Sequence, residues 1–270
     1  MRKLYTTLSV VLLSFAGFSQ ASPVACYSFS GNANNGSDTL HHGIVHGAQL
    51  TTDRFGNANS AYFFDGIDDF IQIKHHPALS FNRTAEFSLS FWVKAENVQY
   101  DSAGYYNTLL SKSANANGNS YPYEFSIANH RHVLNREFKF LREDGGCTHP
   151  IDEWSQRRIS DNGYSHVALV KRSTVLELYF NGTLVKTYAD YLTCSPANTN
   201  DIFIGKSGDL NPRFFRGSID DFIIFDYAIS TTQINCLYNN IPSPCFCFAN
   251  PHVSIEEAEK QAFKIYPNPS

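Results

Sequence analysis

The chain has no cluster of lysine and arginine: 21 basic residues are scattered among 25 acidic ones, for a net charge of -4 over 270 residues. That leaves no electrostatic footprint for nucleic acid or for an anionic membrane surface. Beyond residue 21 there is no run of about 18 or more apolar residues, so no helical membrane span is read from the sequence. The six cysteines (Cys26, Cys147, Cys194, Cys236, Cys245 and Cys247) lack the paired C-x-x-C spacing of zinc sites. Nor is there a strand-length run of the Glu-x-Asp-x-x-Glu type, which would set two carboxylates about 5 Å apart for retaining glycoside hydrolysis. Asp152-Glu153 precedes Trp154, and Glu256-Glu257-Ala258-Glu259 falls in the tail. No catalytic residue is therefore assigned.

Helical periodicity is almost missing as well, and strand signals take its place. Glu86 to Lys94 alternates, with Phe87, Leu89, Phe91 and Val93 on one face and Ser88, Ser90, Trp92 and Lys94 on the other. Tyr123 to Ile127 and Glu137 to Leu141 repeat the pattern. Asn181-Gly182, between Val175–Phe180 and Thr183–Tyr188, predicts a two-residue type I′ hairpin, because both turn positions need positive φ. Asp101 to Tyr106 and Ser113 to Ser120 are rich in Ser, Asn, Ala and Gly and predict loops. Ser230-Thr231-Thr232-Gln233 has the capping-box pattern, and Ile234, Leu237 and Tyr238 share one face of a short helix. Strand after strand with turn signals predicts an all-β, two-sheet antiparallel sandwich, and its length suits one domain plus ends.

The organising stretch is Arg216 to Ser230. Phe222 and Ile224 fall on one parity and Ile223, Phe225 and Tyr227 on the other, so this strand is apolar on both faces and belongs at the centre of a sheet. Phe63-Phe64-Asp65-Gly66-Ile67-Asp68-Asp69-Phe70-Ile71-Gln72-Ile73 echoes it, with a Gly, an Asp-Asp pair and then aromatic and β-branched residues, and both segments are read as placing carboxylates at a strand mouth. The Gly31-Asn32-Ala33-Asn34 turn after Cys26-Tyr27-Ser28-Phe29, the Phe64-to-Phe70 segment, Ser165-His166-Val167-Ala168-Leu169-Val170, Leu178-Tyr179-Phe180-Asn181-Gly182 and the Gly217-to-Ser230 stretch occur in the order of one known family. Over residues 24 to 240 the chain resembles the laminin G-like (concanavalin A-like) jelly-roll family of secreted bacterial proteins.

The resemblance implies two stacked antiparallel sheets and a binding role, with a glycan or a cell-surface protein as partner. A glycan-active enzyme on the same fold and a protein-binding adhesin module are the alternatives. It also implies a structural calcium ion bridging the first turn and the last long strand, with Asp220 as main carboxylate and Asn32 and Asn35, or their neighbouring carbonyls, completing the shell. Hard cations take six to eight oxygens, which loops at a sheet edge can supply. Asn35 departs from the family, where an Asp is usual. The competing reading is that these Asn and Asp residues form Asx-turns and cap strand ends. Ile71-Gln72-Ile73-Lys74-His75 has a faint likeness to an alginate-lyase strand, without that family's accompanying strands. His41-His42, His46, His75-His76 and His130-x-His132 are read as surface imidazoles. Trp92 and Tyr179 are read either as sugar platforms or as packing beneath a loop, so no ligand-binding residue is named.

The ends carry further expectations. Residues 1 to 21 read as a secretory signal: Arg2-Lys3, an apolar core from Leu8 to Phe18, and the small-residue site Ser19-Gln20-Ala21. Export favours oxidised cysteines. Of 15 connectivities the first choice is Cys147 with Cys194, both in loop-like sequence, closing a long loop for about 3 to 4 kcal/mol. Residues 241 to 262 read as a Cys- and Pro-containing linker. Residues 263 to 270, ending Tyr266-Pro267-Asn268-Pro269-Ser270, resemble the opening of the sorting domain of the type IX secretion system.

Overall fold

The computed structural model describes residues 22–37, 40–96, 107–114, 120–128, 137–146, 150–159, 163–208 and 212–239. Among them the chain runs β1 (Ala25–Tyr27), β2 (Ile44–His46), β3 (Gln49–Thr51), β4 (Ala61–Asp65), β5 (Phe70–Ile73), β6 (Phe87–Ala95), β7 (Asn107–Ala114) and β8 (Ser120–Ala128). It continues through β9 (Glu137–Asp144), β10 (Ile151–Arg158), β11 (Ser165–Arg172), β12 (Val175–Phe180), β13 (Thr183–Ala189), β14 (Ile202–Ile204), β15 (Arg216–Phe225) and the helix α1 (Thr231–Asn239). One antiparallel sheet has the order β13-β12-β11-β6-β15-β4-β3, with β1 also paired to β15, and the other has the order β10-β9-β8-β7-β14-β5-β2. This is the two-sheet jelly-roll sandwich expected from the alternating strands.

The core lies between the sheets. Phe87, Leu89, Phe91 and Val93 of β6 face Phe125, Phe138 and Phe140 of the opposite sheet, and each of these side chains is buried. Full burial of such a side chain stabilises by about 1.5 to 3 kcal/mol, so this interdigitated aromatic layer dominates the fold. β15 is central, as its two apolar faces require. Phe222 and Ile224 enter the main core, while Ile223 and Phe225 enter a second cluster with Ile234 and Leu237 of α1. The helix therefore roofs the outer face of the first sheet. Its capping box is in place: the Ser230 hydroxyl accepts from Gln233 N at 3.2 Å, and Gln233 Oε1 accepts from Ser230 N at 2.8 Å. Asn181 (φ 49°) and Gly182 (φ 74°) form the two-residue hairpin turn between β12 and β13.

Two sequence expectations need correction. Ser113 and Ala114 end β7 and Ser120 opens β8 instead of lying in a loop, because both strands run on through polar residues; Asp101 to Tyr106 and residues 115–119 lie outside the described residues. The Phe63-to-Ile73 echo is two strands in two sheets, since β4 and β5 are joined by a turn in which Asp65 Oδ1 accepts from Ile67 N at 2.7 Å.

Between the sheets, Arg142 of β9 is fully buried. Its Nε lies 3.1 Å from Asp190 Oδ2, and Nη1 and Nη2 donate to the carbonyls of Pro122 and Asn82 at 2.6 and 2.9 Å. Lys171 of β11 approaches the same carboxylate at 3.5 Å, so Asp190 holds a cation from each sheet. Cys26, Cys194 and Cys236 are disulfide-bonded. Cys147, Cys245 and Cys247 lie outside the described residues, as do His130 and His132.

Candidate functional site

The site begins with an interruption in the pairing of β15. One edge of this strand runs along β6, whereas the other is shared: β4 pairs with Arg216 to Ile219 and β1 with Phe222 to Ile224. Asp220 and Asp221 fall opposite the split. There the ladder to β6 shifts register between Asp220 and Ile223, and Asp221 takes the left-handed conformation at φ 47°. Aspartate is among the few non-glycine residues that enter this region readily. Successive side chains of a regular strand point to opposite faces, but one extra residue in a bulge breaks the alternation and re-aims a side chain. Ile219 and Phe222 therefore both enter the core, and the two intervening carboxylates reach the same outward group. That corrects the expectation of a strand mouth: the pair sits in the middle of the strand, at a bulge.

The group they reach is Arg54. Its Nη1 lies 2.8 Å from Asp220 Oδ2 and 2.6 Å from Asp221 Oδ2. Arg54 comes from the β3–β4 loop, where Asp53 Oδ1 accepts from the backbone N of Phe55 and of Asn57, each at 2.8 Å, and Asn57 Nδ2 donates to Oδ2 at 2.9 Å. The capped turn directs Arg54 inward and leaves Phe55 57 % exposed. Arg54's guanidinium carbon is 4.3 Å from the Phe55 ring centroid and 4.4 Å from that of Trp92. Trp92 in turn stacks on Tyr238 of α1, with centroids 5.8 Å apart and 16° between planes. Of the two readings of Trp92, packing is therefore the one realised, and the buried Tyr179 likewise belongs to the cluster beneath α1.

Above this floor opens a cleft of about 170 Å³, to which Ser28, Ser30, Asn57 and Ser60 contribute besides Asp53, Phe55 and the ion-paired trio. Burial pushes the Asp220 carboxyl up, the Asp221 charge adds to this, and Arg54 opposes it. Asp221 is raised by burial against the pull of Arg54. The cleft thus offers hydroxyls, an amide, a carboxylate pair that holds protons unusually well, and one open aromatic face.

Of the three residues expected to bind calcium, only Asp220 lines this cleft. Asn35 Oδ1 accepts from the backbone N of Cys26 and Ser37 at 2.8 and 3.0 Å, and Asn32 Oδ1 accepts from Asn34 N at 2.8 Å. Both asparagines are turn-formers, as the competing reading had it. With their oxygens committed to backbone N–H groups and the Asp220 carboxylate bound to a guanidinium, the residues present do not fit a calcium ion here. Asp65, Asp68 and Asp69 bring carboxylate oxygens within 4.8 Å of one another, but Asp65 Oδ1 and Asp69 Oδ2 accept backbone N–H groups of their own turn. The Gln72-to-His75 segment is similarly engaged, since Asp201 accepts from Gln72, Lys74 and the backbone of His75. The Ser90–His166 contact of 2.9 Å joins a nucleophile type to a base type. It is fully buried, however, and burial with the Arg54 charge pushes His166 down to about 3, so it serves packing. The sequence reading noted Asp221 only as the neighbour of Asp220 and missed Arg54 and Phe55, to which only the Asp53-to-Asn57 turn residues could have drawn attention.

Comparison with known proteins bears on the family. No curated protein sequence matches the chain. The fold is similar to the binding domain of Paraclostridial Mosquitocidal Protein 1, at a TM-score of 0.62 and 16 % identity over 80 % of this chain and 51 % of that one. This chain thus spans about half the length of that protein's structure. It is similar to nearly the whole of domain 4 of AbnA, a GH43 extracellular arabinanase from Geobacillus stearothermophilus solved with arabinotriose: TM-score 0.54, 17 % identity, 80 % of this chain and 98 % of that one. A third similar structure is the botulinum neurotoxin serotype D ligand-binding domain in complex with N-acetylneuraminic acid, at 0.58 and 18 % over 82 % and 51 %. At these identities the likeness speaks for the fold alone. A family model matches residues 64–235, which include β15 and its carboxylate pair, and by it the chain belongs to the concanavalin A-like lectin/glucanase superfamily.

Proposed function

We propose that this protein is an exported glycan-binding module whose sugar site is the cleft over Asp220, Asp221 and Arg54. The observation that carries the reading is Phe55, an aromatic ring 57 % exposed yet held against a buried guanidinium, beside the hydroxyls and amide of the cleft. Sugars present apolar C–H faces that stack on such rings and hydroxyls that pair with convergent polar groups, the combination expected of small-ligand sites. AbnA domain 4 in complex with arabinotriose and the neurotoxin domain with N-acetylneuraminic acid support it as examples of the fold with sugars bound. Export rests on the reading of residues 1–21 and of the C-terminal tail, which predicts a mature N-terminus near Ser22 and removal of material downstream of Tyr266.

A second reading is a glycan-active enzyme, favoured by two carboxyls raised by burial in one cleft, an arrangement typical of acid–base sites. Against it, both carboxylates are engaged by the same guanidinium nitrogen. A glycan array with the purified protein tests both, read out once for retention and once for reducing-end release. Retention without release is expected, and Phe55→Ala should weaken it at least tenfold, the loss of about 1.4 kcal/mol. Turnover would establish the enzyme, and retention unaffected by Phe55→Ala would move the site elsewhere.

A further inference from the structure

The resemblance implies a divalent cation at Asp220, and the structure puts a side chain there. We infer that Arg54 is the built-in cation of this domain: it bridges the β15 carboxylate pair in place of a metal ion, and the fold is therefore indifferent to calcium. Three features carry this. First, Nη1 contacts one oxygen of each carboxylate, at 2.8 and 2.6 Å, so the guanidinium stands where a bridging ion would. Second, the side chain is only 7 % exposed and is flanked by the Phe55 and Trp92 rings at 4.3 and 4.4 Å. Such a position suits a weakly hydrated planar cation better than a strongly hydrated metal. Third, the Asp53 cap fixes the turn that delivers it, so the charge arrives already oriented.

The asparagines of the first turn agree with this reading. A calcium shell needs six to eight oxygens, and Asn32 and Asn35 have given theirs to the backbone. A tethered guanidinium needs none of them. Emptying the Arg54 position, by contrast, would leave Asp220 and Asp221 side by side next to Asp53, beneath a cleft open enough for the waters that complete a metal shell. Removing the arginine should convert the domain into one that responds to calcium.

Thermal unfolding of the native protein, Arg54→Ala and Arg54→Lys, each in EDTA and in millimolar calcium, is the test. It uses no glycan, so it can fail while the binding proposal stands. The native and Arg54→Lys proteins should melt identically in both media. Arg54→Ala should melt lower in EDTA and recover in calcium, by about 5 to 10 °C at a hundredfold excess over Kd. A calcium-dependent rise of that size in the native protein, or an Arg54→Ala variant indifferent to calcium, overturns the inference. Should Arg54→Ala not fold in EDTA, refolding it in calcium supports the inference, and failure in both media counts against it.

Discussion

Among the described residues, two buried clusters pair arginine with aspartate, and their stoichiometry is reversed. Between the sheets, two cations (Arg142 and Lys171) share one carboxylate, Asp190. Behind the cleft, two carboxylates (Asp220 and Asp221) share one cation, Arg54. The spare N–H groups of Arg142 are taken by the carbonyls of Pro122 and Asn82, a closed arrangement in which the polar capacity of the arginine is met by the chain itself. The second cluster instead fronts a cleft, with an exposed ring at its rim. The same residue types therefore serve as a brace in one place and as the floor of a binding site in the other. Access to solvent and the sign of the surplus charge distinguish them, not the presence of a buried ion pair.

The largest effect expected is at the brace. Arg142→Met leaves Asp190 buried with Lys171 at 3.5 Å and frees two carbonyls from their partner, so stability in urea should fall by about 3 to 5 kcal/mol. A loss below about 1 kcal/mol would end the distinction between brace and site. Next is a pH effect at the floor. The carboxyls there are raised in the folded protein, so the folded state holds protons more tightly than the unfolded chain. Their contribution to stability is then fullest below about pH 4, the ordinary aspartate range, and is lost as pH rises through the raised folded values. Asp220→Asn should flatten that decline, on the order of 1 kcal/mol per pH unit across the window, as read from melting temperatures between pH 4 and 8. A profile unchanged by the substitution would remove the proton-holding pair. Smallest is Lys171→Met, expected to cost about 1 kcal/mol, because the arginine hydrogen bond to Asp190 survives. A cost equal to that of Arg142→Met would mean that the two cations bear equally on the carboxylate.

Much of the fold was legible because it depends on local periodicity. The alternation of β6, the Asn181-Gly182 turn and the Ser230–Gln233 cap each express within a few residues the constraint that shapes them. Asp220 was legible as a carboxylate on a central strand. That Asp221 reaches the same group was not legible, because strict alternation sends neighbouring side chains to opposite faces, and only the bulge brings the two carboxylates together. Arg54 was less accessible still: it lies 166 residues from Asp220, in a turn whose own sequence speaks only of Asx capping. The asparagines of the first turn misled for the opposite reason. Their oxygens suit a metal shell and a turn equally well, and only the positions of the Cys26, Asn34 and Ser37 N–H groups decide between them.

The divided edge of β15 also governs when this protein can become itself. The strand that joins β1, β4 and β6 is the last in sequence among the described strands, so three segments that all precede residue 96 have no complete sheet to enter until residue 216 and beyond are available. Closing loops of that length makes contact order high and folding slow. A chain delivered N-terminus first, as from a ribosome, cannot complete this sheet until residue 225 has emerged. The residues that shut the sheet are the ones that build the cleft, so the molecule cannot present its site before it has finished folding.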